Sequence, residues 1–306
     1  MSCLRRLLPG AFLCLAAAPA LAVPRVAVDI TPIHSIVARV MAGVGTPELV
    51  LPPGTSPHDY ALQPSRAALL QGADLVVWVG PELSPWMEAP IEALSSHATT
   101  LELETLPGVA LLPVRVGGPF EPDADEPAPK PGETRPDGHL WLDPENAVAV
   151  AQGVAAELAG LDADHAAQYR QNAAAFATEM AALQAVINGQ IAPVRGKRFI
   201  VFHDAYQYFE HRFDIPAAGS IELAEGEAPG AARVAEIRDR VRRDGVVCAF
   251  TEPQFEPKLL ATVIEGTDVR TGELDPDVGA GLAPGPELYP AMLLALSKNL
   301  VACLGS

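Results

Sequence analysis

Between residues 164 and 191, apolar side chains recur at Tyr169, Ala173, Phe176, Met180, Leu183 and Ile187, at spacings of 4, 3, 4, 3 and 4. That is the period of one helical face. The segment is therefore expected to form one unbroken helix. At 1.5 Å of rise per residue, about 28 residues span roughly 42 Å. A helix that long, with one stripe to bury, needs partners along its whole length and is suited to bridging two lobes. Pro193 and Gly196 follow as stop signals.

An α/β rhythm lies on either side of it. Residues 25–30 read as a strand, and Thr31-Pro32 opens the next helix. Residues 73–79 read as a buried-type strand ended by Gly80-Pro81, with helical patterns at 64–71 and 84–94. After the long helix, strands are expected at 198–202, 246–250 and 267–271. Val234, Ile237 and Val241 mark an amphipathic helix stopped by Gly245. Alternating strands and helices predict a parallel α/β sheet. The two halves share a plan but no internal repeat.

The first 22 residues have a different composition. Arg5 and Arg6 precede an apolar run, and Ala20-Leu21-Ala22 forms a small-x-small site. This predicts a secretory signal peptide cleaved after Ala22. Cleavage removes two arginines and no acid, which takes the net charge from -17 to -19. Such acidity argues against a nucleic-acid partner, which needs clustered Lys and Arg. Two of the four cysteines, Cys248 and Cys303, remain. In an exported chain they make either one disulfide or a pair of buried thiols. Residues 117–138 hold six prolines and six acids and are expected to form an exposed flexible loop.

All seven histidines lie beyond residue 22, and three have distinctive contexts. His58 lies in LPPGTSPHDY after an expected strand. His139 opens HLWLDP just past the acidic loop. His203 ends the strand RFIVFH, where open α/β sheets place ligand sites, and Asp204 is placed to cap the next helix. There is no HExxH, CxxC or GxSxG. The residues alone lead to an exported, two-lobed α/β protein with a candidate metal site.

The runs LPPGTSPHDYALQPS, ADLVVWVGPEL, HLWLDPENA, FIVFHDAYQYFE, FTEPQF and TGELDP together resemble the zinc-binding receptors of zinc ABC transporters (ZnuA type). The resemblance covers nearly the whole chain after residue 22, in order. It implies two Rossmann-like lobes with parallel sheets, 23–161 and 194–306, joined by a single backbone helix within 162–193. It places the metal in the cleft between them. Carried over by position, the metal-binding histidines are His58, His139 and His203, and a further aspartate ligand is Asp275. The family's disulfide falls on Cys248 and Cys303. The implied function is that of a monomeric periplasmic receptor. It passes Zn²⁺ to an inner-membrane permease driven by a cytoplasmic ATPase and catalyses no reaction. Where some relatives carry an acid before the first histidine, this chain has Pro57, which cannot ligate. That leaves Asp275 or water for the fourth position.

Three imidazoles and a carboxylate suit tetrahedral zinc at about 2.0–2.2 Å. Manganese prefers more oxygen ligands. Related manganese receptors carry a carboxylate where this chain has His203, which favours zinc over a manganese or iron receptor of the same architecture. A zinc hydrolase, with three histidines activating a water, is the reading from another class, but no motif sets a Glu base beside the ligands. Ligation requires neutral rings, so binding should weaken as pH falls through roughly 6.5. Each ring's second nitrogen needs a partner, and Asp59, Asp204 and Glu252 are the candidates by motif. His34, just after the first strand, is a candidate accessory ligand.

Overall fold

The computed structural model describes residues 23–58, 60–115, 120, 135–221, 231–255, 257–277 and 279–305. The expected signal peptide, and the acidic loop apart from Phe120 and residues 135–138, lie outside these residues. Four strands, β1 (Val26–Val28), β2 (Glu48–Leu49), β3 (Leu75–Trp78) and β4 (Thr99–Glu102), form a parallel sheet in the order β2-β1-β3-β4. β1 and β3 are apolar and buried at every position, as central strands covered on both faces must be. Helices α1 (Thr31–Val40) and α2 (Pro64–Gln71) each carry proline in their opening residues, where its missing N–H costs nothing. Helix α3 (Glu88–Leu94) follows a 3-10 turn at Pro85–Met87.

Helix α4 (Pro144–Leu161) is capped by Asp143, which accepts the Glu145 N–H. Asp162 then closes the corner into α5 (Ala166–Ile191), accepting from the His165 backbone and the Tyr169 hydroxyl. The predicted stripe is the buried face of α5: Tyr169, Ala173, Phe176, Met180, Leu183, Ile187, and Ile191 beyond them. Its 26 residues extend about 39 Å. They lie against α4, α1 and the C-terminal helix α9 (Leu288–Leu304), so α5 has partners from both ends of the sequence.

The second sheet is parallel too. It has β5 (Phe199–Ile200), β6 (Cys248–Thr251) and β7 (Arg270–Glu273) in the order β5-β6-β7, with a parallel bridge from Val201 to Ser220. Its helices are α6 (Gln207–Phe213), α7 (Ala231–Asp244) and α8 (Pro257–Ile264). Two expectations are corrected here. The strand expected at 267–271 begins at Arg270, because Thr267 closes the end of α8 through its N–H and hydroxyl on the Ile264 carbonyl. Asp204 does not cap α6; it pairs with Arg115 instead. Helix α9 returns to the first half, where the Tyr289 N–H meets Ser35 Oγ at 2.9 Å and its hydroxyl donates to the Trp141 carbonyl at 2.6 Å. One apolar core therefore runs from Val26 to Leu304. Among the described residues no helix is long and apolar enough to cross a membrane.

Cys248 on β6 and Cys303 on α9 form a disulfide with Cα atoms 6.1 Å apart and a sequence separation of 55. Closing a loop of that size removes unfolded-state entropy worth up to ~4 kcal/mol. A Cys248→Ser/Cys303→Ser double variant should lose about 2–4 kcal/mol of unfolding free energy, read from urea midpoints. An unchanged midpoint would mean that the bridge does not restrict the unfolded chain.

Two carboxyls sit at the C-terminal edge of the first sheet, Asp29 buried and Glu104 part-buried. Burial lifts Asp29 to about 7, despite the bonds it accepts from the Val79 and Ile30 N–H groups. Burial, then the nearby charges of Glu82 and Glu102, lift Glu104 to about 8. In the unfolded chain both would ionise near 4. The fold therefore binds more protons than the unfolded chain over this window, and stability falls as pH rises from about 4 to about 8. Glu104→Gln should flatten the upper part of that decline. Urea midpoints of the two proteins at pH 5 and pH 9 check this, and parallel losses in both would refute it.

Candidate metal centre

The chain reaches the site along the C-terminal edges of its parallel strands. His58 lies in the loop after β2. That loop is pinned by Trp86, whose indole N–H donates to the Pro57 carbonyl at 2.7 Å, while the His58 N–H bonds to Ser56 Oγ. His139 immediately precedes the buried turn Leu140–Leu142 that feeds α4. His203 lies just past β5. β5 pairs with β6 so that Phe199 faces Cys248 and Ile200 faces Ala249. Extending that register brings His203 level with Glu252.

The three rings converge. His58, His139 and His203 are 6%, 4% and 0% exposed, and each offers a ring nitrogen within 4.8 Å of the other two. The Nε2 atoms of His58 and His139 are 3.3 Å apart. A tetrahedron with metal–nitrogen bonds of 2.0–2.1 Å has edges of about 3.3–3.4 Å. The spacing is therefore that of two ligands on one tetrahedral ion. The ring centroids lie 5.2 to 6.0 Å apart.

Carboxylates stand behind two of the rings. Glu252 Oε1 is 2.8 Å from His203 Nδ1, and Asp137 Oδ1 is 2.8 Å from His139 Nδ1. Each fixes a proton on Nδ1 and leaves the Nε2 lone pair for a metal. Burial alone would raise the Asp137 carboxyl. The charge and bonds of His139, with the Gln207 amide, outweigh it and hold the carboxyl below its usual range. Glu252 was among the partners expected from sequence. Asp137 was missed, although an aspartate two residues before a candidate ligand was the available signal. Asp59 lies outside the described residues.

Asp275 and His34 stand outside the three-histidine set. Asp275 follows β7, and its carboxylate accepts the Gly279 N–H at 3.1 Å and the Ala280 N–H. Its loop is tied to the first half by Trp141, whose indole donates to the Pro276 carbonyl at 2.8 Å. His34 Nε2 bonds to the Pro47 carbonyl at 3.1 Å. The Tyr206 hydroxyl is pushed well above its ordinary range by burial, then by Glu252, Asp277 and Asp275, so this flank of the site is acidic.

Beside the site, residues 112–114 pair with 135–137 as a short antiparallel strap. At its edge Arg115 spans Glu210 at 2.7 Å and Asp204, and lies 3.7 Å from the Phe120 ring centre. Burial would lower this guanidinium, but its bonds to Glu210 and Asp204 hold it protonated.

Comparison with known proteins places the chain in a family. Residues 26–303 match the family model for the zinc-uptake complex component A, periplasmic (ZnuA). The chain is 41% identical to the high-affinity zinc uptake system protein ZnuA of Brucella abortus, over 91% of both chains. A crystal structure of ZnuA superposes with a TM-score of 0.77 at 23% identity, covering 92% of this chain and 98% of that one. FpvC of Pseudomonas aeruginosa, solved in complex with Mn²⁺, superposes with a TM-score of 0.79 at 20% identity, covering 92% and 99%. At such identities the structural matches establish the fold, and the fold alone does not select the metal.

Proposed function

The chain belongs to the family of periplasmic zinc-uptake components, and on that premise we propose that His58, His139 and His203 hold one Zn²⁺ as cargo. The protein is the periplasmic zinc-binding component of a zinc ABC transporter, a solute receptor and not an enzyme. The observation that carries the ligand assignment is three nearly buried imidazoles, contributed by both halves, with two Nε2 atoms at tetrahedral spacing. Asp275 or a water takes the fourth position. Asp275 can ligate while it accepts the Gly279 and Ala280 N–H groups, because each carboxylate oxygen keeps a second lone pair.

Receptors of this family are periplasmic and work with an ABC permease and its ATPase. The finer reading is that residues 1–22 are a signal peptide cleaved after Ala22. The mature monomer then presents zinc to an inner-membrane permease and binds no nucleic acid. Residues 23–161 and 194–306 act as two lobes hinged on the helix within 162–193, with ligands from each, so metal binding and lobe position are linked. The N3 ligand set favours zinc, since affinity for nitrogen sites falls steeply from zinc to manganese. Against a hydrolase, Asp137 and Glu252 sit behind the rings on Nδ1. That is the place of tautomer-fixing partners, not of a base beside a metal-bound water.

Calorimetry on chelator-stripped protein should give one Zn²⁺ per chain, bound far more tightly than Mn²⁺. His203→Ala should weaken zinc binding by more than the roughly 10- to 100-fold typical of losing only the partner behind a ligand. Asp275→Ala should weaken it by an order of magnitude or more if the carboxylate ligates, and leave it unchanged if water does. Tighter manganese binding, or an unimpaired His203→Ala variant, would sink the assignment.

A further inference from the structure

We infer that Asp137 is a positioning residue that couples zinc held at His139 to the docking of helix α6. The inference rests on the reading of His139 as a ligand. Every polar atom of Asp137 is engaged. Its N–H donates to the Leu112 carbonyl at 2.8 Å, and its carbonyl accepts from the Tyr208 hydroxyl at 2.8 Å. One carboxylate oxygen takes both the His139 Nδ1 proton and the His139 backbone N–H, at 2.8 and 2.9 Å. The other accepts the Gln207 side-chain amide at 3.0 Å. Asp137 is 5% exposed, so water competes weakly for these bonds.

The partners belong to opposite halves of the molecule. His139 leads into α4 of the first half. Gln207 and Tyr208 open α6, four residues after His203, in the second half. A single carboxylate thus orients one ligand and grips the helix that follows another. Zinc on His139 Nε2 withdraws electron density from the ring and makes its Nδ1–H a stronger donor. That strengthens the bond to Asp137, and bonds to ionised partners are about twice as strong as neutral ones. An Asp137 held in place in turn fixes the acceptors that Gln207 and Tyr208 need. Linkage is reciprocal: whatever factor zinc adds to α6 docking, α6 docking adds to zinc affinity.

The test is a double-mutant cycle on zinc affinity in the full mature chain. Asp137→Ala should weaken zinc about 10- to 100-fold, the usual cost of losing the partner behind a metal-bound histidine. Gln207→Ala with Tyr208→Phe touches no ligand, yet should weaken zinc at least about fivefold. Combined, the two changes should cost clearly less than the product of their separate effects. Nitrogen-15 NMR of the zinc-free protein should show His139 protonated on Nδ1 in the parent and in mixed tautomers in Asp137→Ala, a change that general loosening does not produce. Asp137→Asn, which keeps the volume, should show the same sign with a smaller loss if the alanine variant does not fold. Multiplying effects, or an unchanged tautomer, would overturn the coupling. His139→Ala separates the two claims. Undiminished binding in that variant defeats the ligand reading itself. Lost binding there, with undiminished binding in Asp137→Ala, defeats only the coupling.

Discussion

Three imidazoles that share one ion must each turn a lone pair inward, so each needs its proton on the outward nitrogen. Much of the architecture around the site meets that demand. Glu252 reaches His203 because β5 and β6 are parallel and in register, which sets the two residues level at the same sheet edge. Asp137 reaches His139 because only Gly138 separates them, and the chain turns there into Leu140–Leu142. Gly138 is constrained by packing, since a Cβ there would lie 2.9 Å from Leu83 Cβ. The rings are thus held by elements that exist for the fold, and the site needs few residues of its own.

The seam between the halves is largely polar at the site and apolar away from it. Trp141 bonds to Pro276, Tyr208 to Asp137, and Arg212 makes a two-point contact with Asp143 at 2.7 Å. Arg115 adds a part-buried ion pair with Asp204 and Glu210. A buried ion pair is weak evidence of net stability, because desolvation offsets much of the attraction. Its directional bonds nevertheless fix one register of strap against α6, which an apolar contact would not do. Farther from the site, α5 and α9 supply the non-directional burial that holds the halves together.

Much of this was legible in the sequence. The stripe on α5 was, because a 3.6-residue period kept from Tyr169 to Ile187, about five turns, has no competing explanation. The strands 26–28 and 75–78 were, because buried parallel strands are apolar throughout. The histidines stood out by context, but their convergence did not. It depends on how the loops after β2 and β5, which hold His58 and His203, face one another across the long stretch of chain between them. Asp204 shows the limit most clearly. Next to a helix start it reads as a cap, yet Arg115, 89 residues away, claims it. Local preference lost to a charged partner that no periodicity reveals. Asp137 was hidden for the same reason in reverse, since it sits inside an acid-rich stretch that reads as a solvated loop.

The acidity of the chain also takes on a different meaning. A net charge of -17 over 306 residues does not itself identify a cation site. What matters is where particular acids are placed. Asp137 and Glu252 are buried and act on ring protons. Asp275 and Asp277 raise the Tyr206 hydroxyl and so make one flank of the site negative. Bringing a divalent ion among three neutral rings adds two positive charges to a nearly buried space. The acids behind and beside the rings offset that charge without filling the coordination sphere with oxygen. The set therefore keeps its nitrogen character, which favours zinc. Release then needs only a small displacement. On the proposed assignment the ligands come from both halves, so opening the 3.3 Å edge between His58 and His139, or withdrawing His203 with its strand, would leave the ion with an incomplete nitrogen set. A receptor that must give up its cargo gains from having its ligands divided in this way.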